Sequence, residues 1–340
     1  MKILFFSHFF WPQIGGIESI TEILATQFSI REHEVRVVTW SETESERFFP
    51  FRVIRKPSLT RLINQTLWAD VIFENNPSLR LSWPSILLLK PNVVVLQTWI
   101  ARNNGRLSAV DRFKRLRLSA SNSVVAISEV VKNEIFPGAQ VIPNPFNTSV
   151  FAGVGAEFVR RDFVVLGRLV SDKGIDLAIR AIAGLVRQKV DCRLTIIGQG
   201  PEMAALKVLA KGEGIEDRVE FLGSLTGEIL AAELRKYRYI IIPSRWKEPF
   251  GIVALEGLAC GCIPIVADGG GLPDAIGKAG LVFKRGDLHD LETKMKYILS
   301  DDRLEKQLKA EAPAQLAIHR PEVIADRYLE LLKKAAGNEN

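Results

Sequence analysis

The stretch Phe163-Val164-Val165-Leu166-Gly167-Arg168-Leu169-Val170-Ser171-Asp172-Lys173-Gly174 opens with an apolar run and ends in a turn. Two glycines bracket that turn, and it carries two cations. Behind it, residues 176–188 repeat apolar side chains at helical spacing. An apolar run without polar alternation fits a strand covered on both faces, and a helix directly after it is the return connection of a parallel sheet. Further along, the runs Arg193-Leu-Thr-Ile-Ile197, Val219-Glu-Phe-Leu222, Tyr239-Ile-Ile-Ile242, Ile263-Pro-Ile-Val266 and Gly280-Leu-Val-Phe283 repeat the strand pattern. Helical spacing fills the intervals, as at 201–212.

The same alternation runs backwards to the first residue. Lys2-Ile-Leu-Phe-Phe-Ser7 is a strand, Gly15-Gly16 lies in the turn after it, and residues 18–29 have helical periodicity. Val35–Thr39, 51–54, 70–73, 93–96, 124–127 and 140–142 supply further short apolar strands. Between the two series stands Pro143-Asn144-Pro145-Phe146-Asn147, where two prolines withdraw backbone donors and fix their own torsions. The expectation is therefore α/β with two doubly wound, Rossmann-like domains at 1–150 and 151–320. Residues 321–336 form an amphipathic helix able to pack back onto the first. In such sheets ligands bind beyond the carboxyl ends of the strands, so a cleft between the two domains is the expected site.

Bulk properties agree with that plan. A chain of 340 residues exceeds one ordinary core. It has no run of about 20 apolar residues that would span a bilayer. Residues 86–100, the most apolar stretch, are interrupted by Lys90-Pro91-Asn92 and read as two short core elements. Cys192, Cys260 and Cys262 have neither metal-ligand nor disulfide spacing and read as buried thiols in a reducing cytosol. The net charge of +6 is concentrated in the first 150 residues, with 17 Lys/Arg against 12 Asp/Glu. That excess suits an anionic surface or substrate. No stacking aromatics or nucleic-acid motif accompany it, so nucleic acid is not the expected partner.

A second stretch, Glu248-Pro249-Phe250-Gly251-Ile252-Val253-Ala254-Leu255-Glu256, sets two carboxylates seven residues apart, one in a turn and one within a helix. A carboxylate accepts two hydroxyl donors at once, and fixed cations grip phosphates. Together with Arg168 and Lys173, the acids describe a site for a molecule that is half sugar and half nucleotide. The segment from Phe250 through Gly251 and Ile252 to Val253 lies at a helix start, where backbone N–H groups can hold phosphate. Gly15-Gly16 and Gly269-Gly270-Gly271 let backbone approach a ligand without a side chain between.

These residues carry a resemblance. Gly167-Arg168 with Lys173-Gly174, and the Glu248-x7-Glu256 stretch, are similar to signatures of the retaining glycosyltransferases of family 4, glycosyl transferases group 1, which have the GT-B fold. Ala126-Ile-Ser128-Glu-Val-Val, Val141-Ile-Pro-Asn144-Pro, Gly15-Gly16-Ile-Glu18 and Gly269-Gly-Gly-Leu-Pro-Asp274 resemble other landmarks of that family. The resemblance is strongest over 163–285 and thinnest over 40–120. It implies transfer of a hexose-type sugar from a UDP- or GDP-sugar, with retention and without metal or other cofactor. The acceptor it implies is a saccharide or lipid-linked saccharide of cell-surface polysaccharide synthesis. Arg168 and Lys173 would contact the diphosphate, Glu248 the transferred sugar, and Glu256 the ribose.

Where family members often carry a histidine, this chain has Gln97, which hydrogen-bonds but cannot shuttle a proton. His8, Gln97 and Asn144 are the acceptor-side candidates. Over 105–121, Arg106, Arg112, Lys114, Arg115 and Arg117 surround a stripe of Ala109, Phe113, Leu116 and Ala120. That basic amphipathic helix would meet the anionic inner face of a membrane from the cytoplasm, or else turn its apolar stripe into the core. Two other functions compete with transfer: a sugar-nucleotide binding protein that has lost turnover, and a nucleotide-sugar epimerase of the same fold. Gly-x-Gly-x-x-Gly is missing from the first turn, which counts against a dinucleotide-dependent oxidoreductase.

Overall fold

A computed structural model describes all residues except 14, 44, 46, 101–107, 152, 154–160 and 338–340. The chain divides into two compact units, Met1–Pro145 with His319–Asn340, and Phe146–Ile318.

Unit one holds seven parallel strands: β1 (Lys2–Phe6), β2 (Glu34–Thr39), β3 (Arg52–Arg55), β4 (Val71–Asn75), β5 (Asn92–Leu96), β6 (Ser123–Ala126) and β7 (Gln140–Val141). Their order is β3-β2-β1-β4-β5-β6-β7, so the winding reverses between β1 and β4. Every residue of β4 and β5 is buried, the polar Glu74, Asn75 and Asn92 included. α1 (Gly16–Ile30) and α14 (Pro321–Ala335) pack on one face, where Phe5, Phe28, Phe73 and Tyr328 interlock. α2 (Leu59–Trp68) and α3 (Leu79–Leu87) pack together beside a cluster of Leu4, Phe6, Ile54, Leu62, Ile72 and Leu81. Ser58 caps α2 by accepting from the Arg61 amide. α4 (Ala109–Leu118) begins with a capping box between Ser108 and Asp111, and α5 (Glu129–Ile135) with a Ser128 cap.

Unit two holds six parallel strands: β8 (Arg161–Leu166), β9 (Leu194–Ile197), β10 (Val219–Gly223), β11 (Tyr237–Ile242), β12 (Ile263–Ala267) and β13 (Leu281–Phe283). The order β10-β9-β8-β11-β12-β13 reverses between β8 and β11. Helices α6 (Thr148–Phe151), α7 (Ile175–Arg187), α8 (Met203–Gly212), α9 (Gly227–Leu234), α10 (Ile252–Ala259), α11 (Leu272–Ile276), α12 (Leu288–Ser300) and α13 (Asp302–Ile318) complete it. Nine residues of α7 are buried, the signature of a helix laid on the sheet. Under α13, Glu305 accepts from Arg238, Tyr239 and Lys309. Burial alone would raise its carboxyl, but these three donors outweigh burial and hold it at about 2.

The structure corrects three expectations. The division falls after Pro145 rather than 150, because α6 packs on α9 and α10 of unit two. Residues 86–100 are not two core elements: β5 is buried, but Leu87 and Leu89 at the end of α3 are 73% and 88% exposed. Arg117, placed with the basic surface of the 105–121 helix, is buried and paired with the fully buried Glu74 of β4. α4 thus turns Arg117 and Leu118 inward, leaving Val110, Phe113 and Leu116 exposed. Arg106 lies outside the described residues.

Candidate functional site

In unit two the sequence-flagged residues assemble at the carboxyl ends of β8 and β11, where the winding reverses and crevices form in open sheets. After β8 the chain turns through Gly167, exposed Arg168 and one 3₁₀ turn over Ser171–Lys173. Gly174 then takes a left-handed conformation (φ 65°) and starts α7. A Cβ on Gly174 would sit 2.1 Å from the Pro243 carbonyl oxygen, so only glycine lets this turn lie against the end of β11. Two donors of the β11 loop converge on the Asp172 carbonyl, the amides of Arg245 (2.8 Å) and Trp246 (3.0 Å), and the Ser244 hydroxyl oxygen lies 3.2 Å from it. Arg245 closes the arrangement with two 2.6 Å bonds to Asp176. These bonds are the leading reason its guanidinium is raised above its ordinary value.

That scaffold brings Lys173 to Glu248. Lys173 Nζ lies 2.5 Å from Glu248 Oε1, and the Ser244 hydroxyl donates to the same oxygen at 2.8 Å. Both members of the pair are partly buried, and the Lys173 ammonium stands 5.7 Å from the centre of the Trp246 ring. Lys173 and Glu248, read separately as a diphosphate clamp and a sugar-binding acid, form an ion pair. Glu248 is also bridged by backbone to Gly270, and the Gly271 amide donates to the Glu248 carbonyl at 2.8 Å. Gly270 is left-handed (φ 72°), and a Cβ there would lie 1.9 Å from that carbonyl.

α10 begins at Gly251 with no side chain capping it. Phe250 is buried, whereas Ile252 and Val253 in the first turn are only partly buried, so the amino end of α10 is open. Glu256 is the fifth residue of this helix, and among the described residues its carboxylate has no hydrogen-bond or ionic partner. Its tip keeps some solvent contact, yet surrounding protein strips most of its hydration and pushes its carboxyl up to about 8.

Sequence reading missed one feature beside these residues. A recess of about 150 Å³ is lined by Leu166, Gly167, Arg168, Gly198, Gln199 and Ser224, among others. It opens at the carboxyl ends of β8, β9 and β10. Gly198 permits it, since a Cβ there would stand 1.8 Å from the Gly167 carbonyl oxygen. Position after a strand was the available signal for Gln199 and Ser224.

In unit one, Gly15 is the N-cap of α1 in extended conformation with no side-chain cap, and exposed Gly16 begins the helix. His8 follows β1, half-buried, with Nδ1 3.4 Å from the Ser78 hydroxyl. Gln97 and Asn144 do not stand open to an acceptor. The Gln97 amide donates to Asn75 Oδ1 (2.9 Å) and accepts from Asn144 Nδ2 (2.8 Å). Asn75 in turn donates to Thr21 Oγ1, and His319 Nδ1 meets the Asn144 carbonyl. All five are buried, and this network joins β4, β5, α1 and the start of α14.

Among the described residues, no cluster of His, Cys, Asp or Glu is placed to hold a metal, and no helix is long and apolar enough to cross a membrane.

Comparison with known proteins follows the same lines. Residues 157–315 match the family described as glycosyl transferases group 1. An uncharacterized glycosyltransferase of Bacillus subtilis is 26% identical over 239 residues, 66% of this chain and 65% of the relative. The chain therefore spans just under two thirds of that relative's length. A GDP-mannose-dependent alpha-(1-6)-phosphatidylinositol monomannoside mannosyltransferase of Mycolicibacterium smegmatis is 27% identical over 341 residues, covering 86% of this chain and 88% of the relative. HepE of Anabaena, solved in complex with UDP and glucose, is similar in structure with a TM-score of 0.80 at 19% identity, covering 98% of this chain and 99% of that one. Two parallel-sheet Rossmann-like units of this kind constitute the GT-B fold. The match to the glycosyl transferases group 1 family lies wholly within unit two, Phe146–Ile318.

Proposed function

We propose that this protein is a retaining, metal-independent hexosyltransferase that uses a nucleoside-diphosphate sugar and a saccharide or lipid-linked acceptor. The observation that carries the reading is the pairing of Lys173 with Glu248 beside the uncapped start of α10, with unpartnered Glu256 one turn further on. Arg168, Lys173 and the free amides from Gly251 to Val253 supply positive potential for a diphosphate, whose charge grows as the sugar departs. Glu248 meets sugar hydroxyls, and Glu256 accepts from the two hydroxyls of a ribose. Gly270 and Gly271 hold Glu248 in place through its backbone, while Gly15 and Gly16 admit the ligand at the start of α1.

Transfer breaks the bond from the anomeric carbon to the diphosphate and forms the new glycosidic bond on the same face. The departing phosphate oxygen takes the acceptor proton, so a histidine at position 97 is not required. The donor is UDP- or GDP-linked, and the product is a cell-surface type saccharide. The exposed face of α4, with Val110, Phe113 and Leu116 beside Arg112, meets an anionic bilayer, where apolar insertion and charge act together. No further cofactor takes part.

The test is a thermal-shift panel with UDP, GDP, ADP and their sugar conjugates, repeated with Glu256→Ala. Binding to the native state raises the midpoint by mass action. A shift with one nucleotide series that disappears in the variant is the expected result. A shift with none, together with no transfer in acceptor screens, overturns the reading in favour of a binding protein that has lost its site.

A further inference from the structure

Unit one has its own reversal point, between β1 and β4, and His8 and Ser78, which follow those strands, have no part in the proposed donor site. His8 follows β1 and touches Ser78, the N-cap of α3, whose amide donates to Glu74 Oε1 at 2.7 Å. Glu74 is neutralised by Arg117 of α4. Since Arg117 is anchored there, Lys114 lies one turn earlier on the same side of α4, the side that faces β4 and its end. From α3, exposed Arg80 lies over the Trp40 ring at 4.1 Å, and the Trp40 amide donates to the His8 carbonyl at 3.1 Å. Two elements thus deliver two cations around one half-buried imidazole. Among the described residues, neither Arg80 nor Lys114 has an acidic partner. Burial first, then the charges of Arg80 and Lys114, hold the imidazole below its ordinary value.

Uncompensated cations are costly to gather unless an anion joins them. We infer that Arg80 and Lys114, flanking His8 at the carboxyl ends of β1 and β4, form a subsite for a phosphoryl group carried by the acceptor. Arg80 supplies a planar fork suited to phosphate oxygens and Lys114 a point charge. His8 becomes a third donor when the anion raises its protonation. The inference rests on unit one being the acceptor side of a glycosyltransferase. It names the acceptor class as phosphate-bearing, either a lipid headgroup or a soluble glycosyl phosphate.

The chain has four histidines, so imidazole NMR resonances are few enough to follow individually. The probe is inorganic pyrophosphate, titrated into full-length protein carrying Lys173→Ala so that the donor side cannot supply the response. The His8 resonances should move and its pKa should rise. In the same background with Arg80→Ala and Lys114→Ala, pyrophosphate affinity should fall about tenfold or more per cation. His8 should also titrate higher without ligand in that variant, a change that loss of a merely structural side chain would not produce. A second arm compares phosphatidylglycerol with phosphatidylcholine vesicles. A His8 response to the anionic vesicles as well as to pyrophosphate assigns a lipid-borne phosphoryl group, and a response to pyrophosphate alone assigns a soluble one. No His8 response to either overturns the inference, as does a response that survives loss of both cations. Failure of the nucleotide panel with an intact His8 response would instead remove the donor reading and leave this subsite standing.

Discussion

Lys173 Nζ and Glu248 Oε1 stand 2.5 Å apart across two loops that share no sequence neighbourhood. Each neutralises the other, so a diphosphate drawing on Lys173 must compete with Glu248 or share the cation with it. Only the glycine at 174 lets the two loops close to this distance.

On the proposed reading, Lys173→Ala removes a fixed cation from the place where charge develops. The expected loss in kcat is about 10²–10³-fold, the scale of removing one preorganised donor. The thermal midpoint should change little, since the pair is partly solvated and Ser244 continues to serve Glu248. Initial rates and a melting curve on the same preparation check both halves, and unchanged rates would remove Lys173 from the site.

Glu256 predicts a pH dependence with a definite sign. Burial raises its carboxyl from 4.5 to about 8, so between these values the folded chain holds a proton that the unfolded chain has released. This group's contribution to stability therefore declines as pH rises through that window. Glu256→Gln should abolish that decline, so the variant gains on the wild type between about pH 5 and pH 8 in urea denaturation. Parallel curves for the two proteins would contradict it. Hydroxyls donating to the ionised carboxylate should also make nucleotide binding tighten over the same range.

Gly270→Ala places a methyl group 1.9 Å from the Glu248 carbonyl oxygen at a left-handed backbone position. The conformational cost alone is roughly 1–2 kcal/mol, and the clash adds to it. The bridge that holds Glu248 should open, giving a lower denaturation midpoint together with weaker nucleotide binding. A variant that binds nucleotide normally would show that the bridge does not set the position of Glu248.

Arg117→Ala should cost about 3–5 kcal/mol, because it leaves the Glu74 carboxylate buried without its cation. Adding Glu74→Gln should recover much of that loss. Chemical denaturation of the two single variants and the double variant makes the check, and additive losses would refute the pairing as the cause.

Phe113→Ser with Leu116→Ser and Arg112→Glu should weaken flotation with anionic vesicles while the thermal midpoint holds, since these side chains are exposed. Arg117 does not belong in this test, because its loss would unsettle the core. Unchanged partitioning of the triple variant would refute membrane contact through α4.

The sequence by itself determined the two doubly wound sheets, because Phe163–Leu166 and Val93–Leu96 are apolar at every position and only strands covered on both faces use such runs. It also put Arg168, Lys173 and Glu248 in turns after strands and Glu256 within a helix, where the structure has them, since strand, turn and helix are local patterns. Tertiary structure decided what a local pattern does not contain. Periodicity drew an apolar stripe on α4 without saying which way it turns. Glu74, fully buried 43 residues away, reversed the helix by holding Arg117 inward. Gln97 and Asn144 have side chains suited to a ligand, but they bond each other and Asn75 inside unit one. Arg80 carried no motif and gained its place only when α3 was laid beside β1. A side chain's type is written in the chain, but its partner comes from elements distant in sequence, and the desolvation cost of a buried polar group decides which partner it must find.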